Sequence, residues 1–214
     1  MDILESLEVR WFLPSESPTI PELRAWFGST RAENARIDYY LATGRHDLGF
    51  KARIVENNPA KVETKYLVGS LGVVDLAPGM RGDLQRWTKL SLELDDPELR
   101  SGGAWLAVTK TRQLRKFSVD LNSSGTATEV PVTDRPDAGC GVELTQLTYT
   151  SNATSFVDWT FGLEAFGPST QLPQLLNILQ AVCRAITSPS RMPELCASWT
   201  ASYPTWLLSK VSIS

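Results

Sequence analysis

The sequence predicts a mainly β domain of the α+β class, with antiparallel strands that form a sandwich or a closed barrel. About eight segments either alternate polar and apolar residues or are rich in β-branched and aromatic residues. These segments follow one another with few helices between them, which favours antiparallel over parallel pairing. No internal repeat or long linker divides the 214 residues, so we expect one domain over residues 1–214.

The first third of the chain predicts four strands and one helix. Residues 6–12 (SLEVRWF) alternate in polarity and place Ser6, Glu8 and Arg10 on one face of a strand. Residues 18–27 (PTIPELRAWF) predict a short helix with a proline in its first turn. Further strands are predicted at residues 37–41, 48–54 and 62–68.

The rest of the chain predicts four more strands and two helices. Residues 69–82 contain four glycines and a proline, so this segment is predicted to be mostly loop. Residues 170–186 (TQLPQLLNILQAVCRAI) carry a leucine stripe at helical spacing, and residues 203–210 predict a short helix packed outside. The remaining strands are predicted at residues 84–94, 104–119, 141–150 and 156–166.

Charged residues recur within the predicted strands at spacings that place both members of a pair on one face. The pairs are Glu8 with Arg10, Lys51 with Arg53, Glu63 with Lys65, Lys89 with Glu93, and Lys110 with Arg112. If the apolar faces pack outward against helices, these charges point into a barrel and must be paired or bound to a ligand. A barrel of about eight strands has room for one small ligand. The simpler alternative is a set of amphipathic strands whose charged faces are solvated.

The composition argues against several classes of protein. The net charge of −3 gives no reason to expect binding to nucleic acid or to a membrane. The amino-terminal residues are partly acidic and contain no long apolar run, so we expect no signal peptide. Cys140, Cys183 and Cys196 match no metal or redox spacing, and we expect reduced thiols in a cytoplasmic protein. His46 is expected at the surface, beside a turn.

The charged motifs follow one another in a distinctive order. Ser6-x-Glu8-x-Arg10 opens the chain, and residues 38–40 (DYY) lead into residues 48–53 (LGFKAR). The later members are Glu63-Thr64-Lys65, Lys110-Thr111-Arg112 followed by Lys116, residues 141–144 (GVEL), residues 163–167 (LEAFG) and residues 202–207 (SYPTWL). This order resembles the CYTH superfamily, also called the triphosphate tunnel metalloenzymes, whose first strand carries Glu-x-Glu-x-Lys. The resemblance covers nearly the whole chain.

The resemblance implies a closed, antiparallel, eight-stranded β-barrel, or tunnel, with a few helices packed outside. It also implies metal-dependent hydrolysis of an inorganic or organic triphosphate, with Mg²⁺ or Mn²⁺ as the cofactor. The residues expected to contact phosphate are Arg10, Lys51, Arg53, Lys65, Lys89, Lys110, Arg112 and Lys116. The expected metal ligands are Glu8 and Glu164, followed by Glu63 and Glu143.

Departures from the family pattern leave the choice between an enzyme and a binding protein open. Ser6 stands where the first strand of the family has its first glutamate, and Gly162 stands where a late Glu-x-Glu has one. Each change removes an oxygen ligand of the kind that magnesium needs, and Arg10 cannot act as a general base. The alternative is a non-catalytic module that binds a polyphosphate or nucleotide, as a monomer or a homodimer. A lipocalin-like carrier of an apolar ligand is a third option, which requires the charges to face outward.

Overall fold

The computed structural model of the protein describes residues 2–30, 32–53, 60–94, 105–122, 125–168, 171–187 and 192–210. Within these residues the chain forms nine β-strands, three α-helices and a short 3₁₀ helix at Ala197–Trp199. The strands are β1 (Asp2–Pro14), β2 (Arg36–Leu41), β3 (Leu48–Arg53), β4 (Ala60–Ala77), β5 (Met80–Leu94), β6 (Trp105–Val119), β7 (Ala127–Val130), β8 (Gly139–Ser151) and β9 (Thr154–Phe166). The helices are α1 (Thr19–Phe27), α2 (Leu172–Thr187) and α3 (Tyr203–Lys210).

Eight of the strands close into an antiparallel barrel. Their order around the barrel is β2-β3-β4-β5-β1-β9-β8-β6, and β2 pairs with β6 to complete the ring. The short strand β7 pairs with the end of β6 and lies outside the ring. The closed eight-stranded barrel predicted from the sequence is therefore confirmed.

The main apolar core lies outside the barrel wall, between the strands and two helices. On β1, Leu7, Val9 and Trp11 are buried and point outward, whereas Glu8 and Arg10 point into the barrel. The outward residues form one cluster with buried side chains of α1 and α2. Burial of each such large apolar side chain stabilises the fold by about 1.5–3 kcal/mol. Because strand residues alternate between faces, the inward face is left free to carry charge.

The helix α2 covers the barrel because its apolar residues recur at helical spacing. Leu175, Ile178, Leu179 and Val182 form one fully buried stripe. The helix contacts β9, β8, β4 and β1, so it spans the part of the wall that carries the outer core. The helix predicted at residues 170–186 is confirmed, although residue 170 lies outside the described residues.

One end of the barrel is closed by α3. Trp206 stacks on Phe12, with 5.5 Å between the ring centroids, and its Nε1 donates to the Asp158 carboxylate at 2.9 Å. Trp206 and Leu207 belong to a second cluster of buried residues from the inward faces of the strands, among them Leu147. The helix predicted at residues 203–210 therefore exists, but its apolar residues pack against inward-facing side chains and not against the outer wall.

Residues 69–82, predicted to be mostly loop, instead belong to a long hairpin formed by β4 and β5. The pairing continues through register shifts to a two-residue turn at residues 78–79. Gly72 has a φ of 73° and Gly79 a φ of 77°, a conformation that glycine adopts at bulges and turns without strain. Leu76 is buried in the outer core, so this hairpin is stabilised by packing. The register shifts beside Gly69 and Gly72, and Gly79 lies in the turn.

One described strand was not predicted, and two predicted strand ends cannot be compared with the structure. The strand β7 has no counterpart among the predicted strands. Residues 54 and 104, predicted as strand ends, lie outside the described residues. Among the helices that the structure describes, none has the length and apolar character needed to cross a membrane.

Candidate functional site

The barrel encloses a cavity of about 250 Å³. Each of the eight barrel strands contributes at least one charged side chain to its lining. The cationic residues that line it are Arg10, Arg36, Lys51, Arg53, Lys65, Lys89, Lys110 and Arg112. The acidic residues that line it are Glu8, Glu63, Asp83, Glu143 and Glu164. In the part of the chain that the structure describes, the cations of the lining therefore outnumber its carboxylates by three.

The structure brings together most of the residues predicted for the site, but not Lys116. The Lys116 ammonium donates to the carbonyl oxygens of Val132 at 2.6 Å and Asp134 at 2.7 Å, away from the cavity. Lys116 has the same strand phase as Lys110, but it lies where β6 pairs with β7, beyond the cavity. Strand phase predicts the face of a residue and not its position along the strand. The placement of Lys116 among the phosphate contacts is therefore not supported by the geometry.

Asp38 was not assigned to the site by the sequence predictions, but it lies among four cations of the cavity lining. Its side chain is fully buried, and Arg53 Nε lies 2.9 Å from Oδ1. Arg36 Nε lies 3.5 Å from Oδ1, whereas Lys110 Nζ and Lys51 Nζ lie 3.6 Å and 4.0 Å from Oδ2. Burial raises the pKa of Asp38, but Lys51, Lys110 and Arg53 together lower it well below its usual value. Asp38 is therefore ionised and holds these cations in place.

Lys110 lies between two tyrosine rings at the wall of the cavity. Its Nζ is 3.9 Å from the ring centroid of Tyr203 and 4.9 Å from that of Tyr40, and it donates to the Tyr40 hydroxyl. The aromatic surroundings cannot replace the water that an ammonium group loses. Burial therefore lowers the pKa of Lys110 to about 7, although Asp38 and Glu143 oppose this change. At neutral pH, Lys110 is poised between its charged and neutral forms.

Arg10 is fixed by contacts on several sides. Its Nη2 lies 2.6 Å from Glu143 Oε1, its Nη1 donates to Thr160 Oγ1 at 3.0 Å, and its Cζ lies 4.9 Å from the Tyr203 ring centroid. Burial raises the pKa of Glu143, but Arg10 and further cations lower it well below its usual value. Across the register of β1 and β9, Arg10 faces Gly162, and a Cβ added there would lie 2.8 Å from Arg10 Cζ. Gly162 thus provides the space that the guanidinium occupies.

Glu8 and Glu164 lie directly opposite each other on β1 and β9 and share Lys65. Lys65 Nζ lies 2.6 Å from Glu8 Oε1 and 3.8 Å from Glu164 Oε1. Burial lowers the pKa of Lys65, but Glu164 and Glu8 raise it above its usual value. Ser6, at the position of the missing glutamate, donates a hydrogen bond to Glu8. The two carboxylates that the resemblance assigns to a metal are therefore partnered by a lysine.

The remaining charges differ in how well they are paired. Glu63 pairs with Lys51, and although burial raises the pKa of Glu63, Lys51 lowers it to about 2. Arg112 pairs with Glu33 at 2.8 Å and with Glu143 at 3.3 Å. Lys89 has no ion-pair partner within 4.0 Å among the residues that the structure describes. Lys89 lines the cavity, and its charge helps to lower the pKa of Glu63.

A divalent ion of the kind that the resemblance implies does not fit this set of donors. Magnesium takes six oxygen ligands in near-octahedral geometry, usually one or two carboxylates together with waters and substrate phosphates. Glu8, Glu63 and Glu143 each have a cation within 2.6 Å, and the space beside Gly162 is filled by Arg10. Over the described ranges, no three His, Cys, Asp or Glu side chains are grouped as an ion would require.

The fold and the cavity together define an antiparallel β-barrel with a predominantly cationic lumen. No protein-family model matches the chain, and no curated protein matches it significantly. Membership of the CYTH superfamily therefore stays a prediction from the order of the motifs. What the protein binds has to be inferred from the side chains of the lumen.

Proposed function

We propose that the barrel lumen binds the polyphosphate group of a small molecule, such as inorganic tripolyphosphate or the triphosphate of a nucleotide. The observation that carries this proposal is the convergence of eight cationic side chains from six strands on one cavity. Charge-assisted hydrogen bonds between such side chains and phosphate oxygens are the strongest that a protein can offer to an anion.

The charge of the lumen supports an anionic ligand. The whole chain has a net charge of −3, whereas the lining has three more cations than carboxylates. Inclusion of Asp38, which is buried beneath these cations, and of Glu33, which pairs with Arg112, reduces this excess to one. A cation excess inside low-dielectric walls attracts anions and strengthens their interactions. The positive charge is therefore concentrated where a ligand can use it.

The size and preorganisation of the cavity support a compact ligand. A volume of about 250 Å³ is slightly below the range of ordinary drug-sized pockets. Arg10 and Arg112 are held by Glu143, and Lys65 is held by Glu8, so these cations are already in place before a ligand arrives. Binding then costs little side-chain entropy, since the long cationic side chains are largely ordered beforehand.

The second candidate is metal-dependent hydrolysis of a triphosphate. The facing pair Glu8 and Glu164 favours it, because Glu164 lies 3.8 Å from Lys65 and its side chain is 38% exposed. This candidate predicts release of phosphate from triphosphates in the presence of Mg²⁺ or Mn²⁺, and loss of that activity in Glu8→Gln. The binding proposal predicts no release above the background without protein.

We further propose a cytoplasmic location, where small-molecule triphosphates and reduced thiols are both found. The free thiols of Cys140, Cys183 and Cys196 support this proposal. Burial raises the pKa of Cys183 to about 12, so that this thiol is protonated at neutral pH. No nucleic-acid or membrane partner is needed for the proposed function.

Isothermal titration calorimetry with a series of anions tests the binding proposal. Tripolyphosphate, pyrophosphate, orthophosphate and sulfate are titrated into the full chain at one ionic strength and in the presence of EDTA. We expect one binding site, with an affinity that increases from orthophosphate to tripolyphosphate as more oxygens contact cations. Absence of binding by every phosphate in the series, both in EDTA and in a repeat with MgCl₂, or equal affinity for sulfate and tripolyphosphate, would contradict the proposal.

A further inference from the structure

We infer that the lumen takes its polyphosphate ligand in the metal-free form, with Arg10 supplying charge that a divalent ion supplies in a metal-dependent site. This inference rests on the proposed function and concerns the state of the ligand. Its basis is the arrangement of Arg10, Gly162 and Glu143, together with the pairing of the other carboxylates.

Arg10 is built into the lumen as a permanent cation. Burial lowers the pKa of Arg10, but Glu143, Tyr203 and Glu8 raise it well above its usual value. The guanidinium therefore stays charged at every pH at which the protein is folded. Nη2 of Arg10 contacts the Glu143 carboxylate, and Nη1 donates to the Thr160 hydroxyl. These two contacts fix the orientation of the guanidinium plane. A planar cation with several fixed donors suits phosphate oxygens.

Glu8 and Glu143 cannot ligate an ion through their paired oxygens without losing their present partners. An ion at Glu8 would displace Lys65 from its contact at 2.6 Å, and an ion at Glu143 would displace Arg10 from its contact at 2.6 Å. Either displacement breaks an existing ion pair, and the loss of that pair opposes binding of the metal. A ligand that arrives without metal instead adds anionic partners to cations that already have one.

The charge of the lumen also favours a ligand without a bound metal ion. The lining has an excess of cations, so a divalent ion that enters with the ligand is repelled by its surroundings. The ion also occupies phosphate oxygens that Lys89, Lys110 and Arg112 would otherwise contact. Magnesium in solution should therefore compete with the protein for tripolyphosphate and should not assist binding.

Calorimetric titration of the full chain with tripolyphosphate, in EDTA and in excess MgCl₂ at matched ionic strength, tests the inference. We expect the apparent Kd to be about tenfold or more higher in magnesium, because the free anion is depleted and cation contacts are lost. Binding only in magnesium, or binding in EDTA that becomes tighter or does not change in magnesium, would overturn the inference but leave the proposed function standing. Absence of binding in both media would overturn the proposed function, and the inference with it.

A variant of Arg10 tests the assigned role separately. In EDTA, Arg10→Gln should bind tripolyphosphate about tenfold or more weakly, and Arg10→Lys should retain part of the affinity. The matched control is Arg86→Gln, which removes an arginine on the outer face of the wall that pairs with Glu5 at 2.5 Å. Wild-type affinity in Arg10→Gln would overturn the role of Arg10. The comparison of EDTA with magnesium in the wild-type chain needs no variant, so it remains decisive if Arg10→Gln fails to fold.

Discussion

The guanidinium of Arg10 lies directly against the Cα of Gly162, on the neighbouring strand of the barrel. A Cβ added at Gly162 would lie 2.8 Å from Arg10 Cζ and 2.9 Å from both terminal nitrogens. The two residues are also paired in the register of β1 and β9. The position of the Arg10 side chain therefore depends on a glycine at position 162, because only a glycine leaves the space that the guanidinium occupies. A glutamate at position 162 would displace Arg10 and would not simply complete a pair of carboxylates.

Gly162→Ala should destabilise the protein by about 1 kcal/mol, because the added methyl group displaces the Arg10 guanidinium from its contacts with Glu143 and Thr160. The control is Gly141→Ala on the neighbouring strand, where a Cβ would only touch Leu114 Cδ1 at 3.6 Å. Gly141→Ala should be neutral or slightly stabilising. Urea denaturation of both variants gives the comparison. Equal midpoints for Gly162→Ala and the wild-type chain would contradict the packing of Arg10 against Gly162.

Acid should destabilise the fold through the carboxylates of the lumen. Lysines and arginines hold the pKa values of Asp38, Glu63 and Glu143 below their usual values against the effect of burial. Such groups stabilise the native state above their unfolded pKa values, and this contribution is lost as the pH falls through the folded values. For Glu63, the change from 4.5 to about 2 corresponds to about 3 kcal/mol. The free energy of unfolding should therefore decrease from pH 5 towards pH 2, and a flat profile would contradict the ion pairs.

Asp38→Asn should cost about 3–5 kcal/mol, because it leaves buried cations without their counter-charge. Arg53, Arg36 and Lys110 all lie within 3.6 Å of the Asp38 carboxylate. The control is Asp47→Asn, which breaks an exposed pair with Arg45 and should leave the stability nearly unchanged. Thermal or urea unfolding of both variants measures the difference. Equal losses in the two variants would show that Asp38 does not organise the lumen.

The alternation of charged and apolar residues was sufficient to predict the strands and which side chains share a face. The closed eight-stranded barrel was predicted from the resemblance of the motif order, since the alternation alone left a sandwich open. Glu8 and Arg10 point inward as predicted, because a strand of period two has only two faces and helices cover the apolar one. The prediction of a loop at residues 69–82 was wrong, because the register of the hairpin shifts beside Gly69 and Gly72 and the strands continue through these shifts. The prediction of Lys116 as a phosphate contact is not supported by its position, since it has the correct phase but lies past the cavity.

Residues that depend on tertiary structure could not be predicted from the local pattern. Arg36 precedes the predicted strand at residues 37–41 by one position, so its inward direction was not evident. Tyr203 reaches the cavity only because α3 closes the end of the barrel. Asp38 was recognised within a motif, but its partners lie on β3 and β6 as well as on its own strand. Only the strand order brings these groups together.

The affinity for tripolyphosphate should depend on pH through Lys110, whose pKa burial lowers to about 7. Asp38 and Glu143 favour its charged form, whereas Arg10 and Arg36 oppose it. A bound anion favours the charged form, so binding above pH 7 requires uptake of a proton and becomes weaker. Between pH 6 and pH 8, the wild-type affinity should fall by about tenfold relative to Lys110→Gln, in which this titration is absent. A ratio that stays constant with pH would contradict the role of Lys110.

The direct test of an anion-binding lumen compares two arginines on the same strand, Arg112 and Arg115. Arg112 lines the cavity and lies 3.3 Å from Glu143, whereas Arg115 packs on Trp26 at 4.0 Å, away from the cavity. Calorimetric titration with tripolyphosphate should show about tenfold or more weaker binding in Arg112→Gln and an unchanged Kd in Arg115→Gln. Binding that is equally strong in both variants, or that is weakened only in Arg115→Gln, would contradict a ligand site inside the barrel.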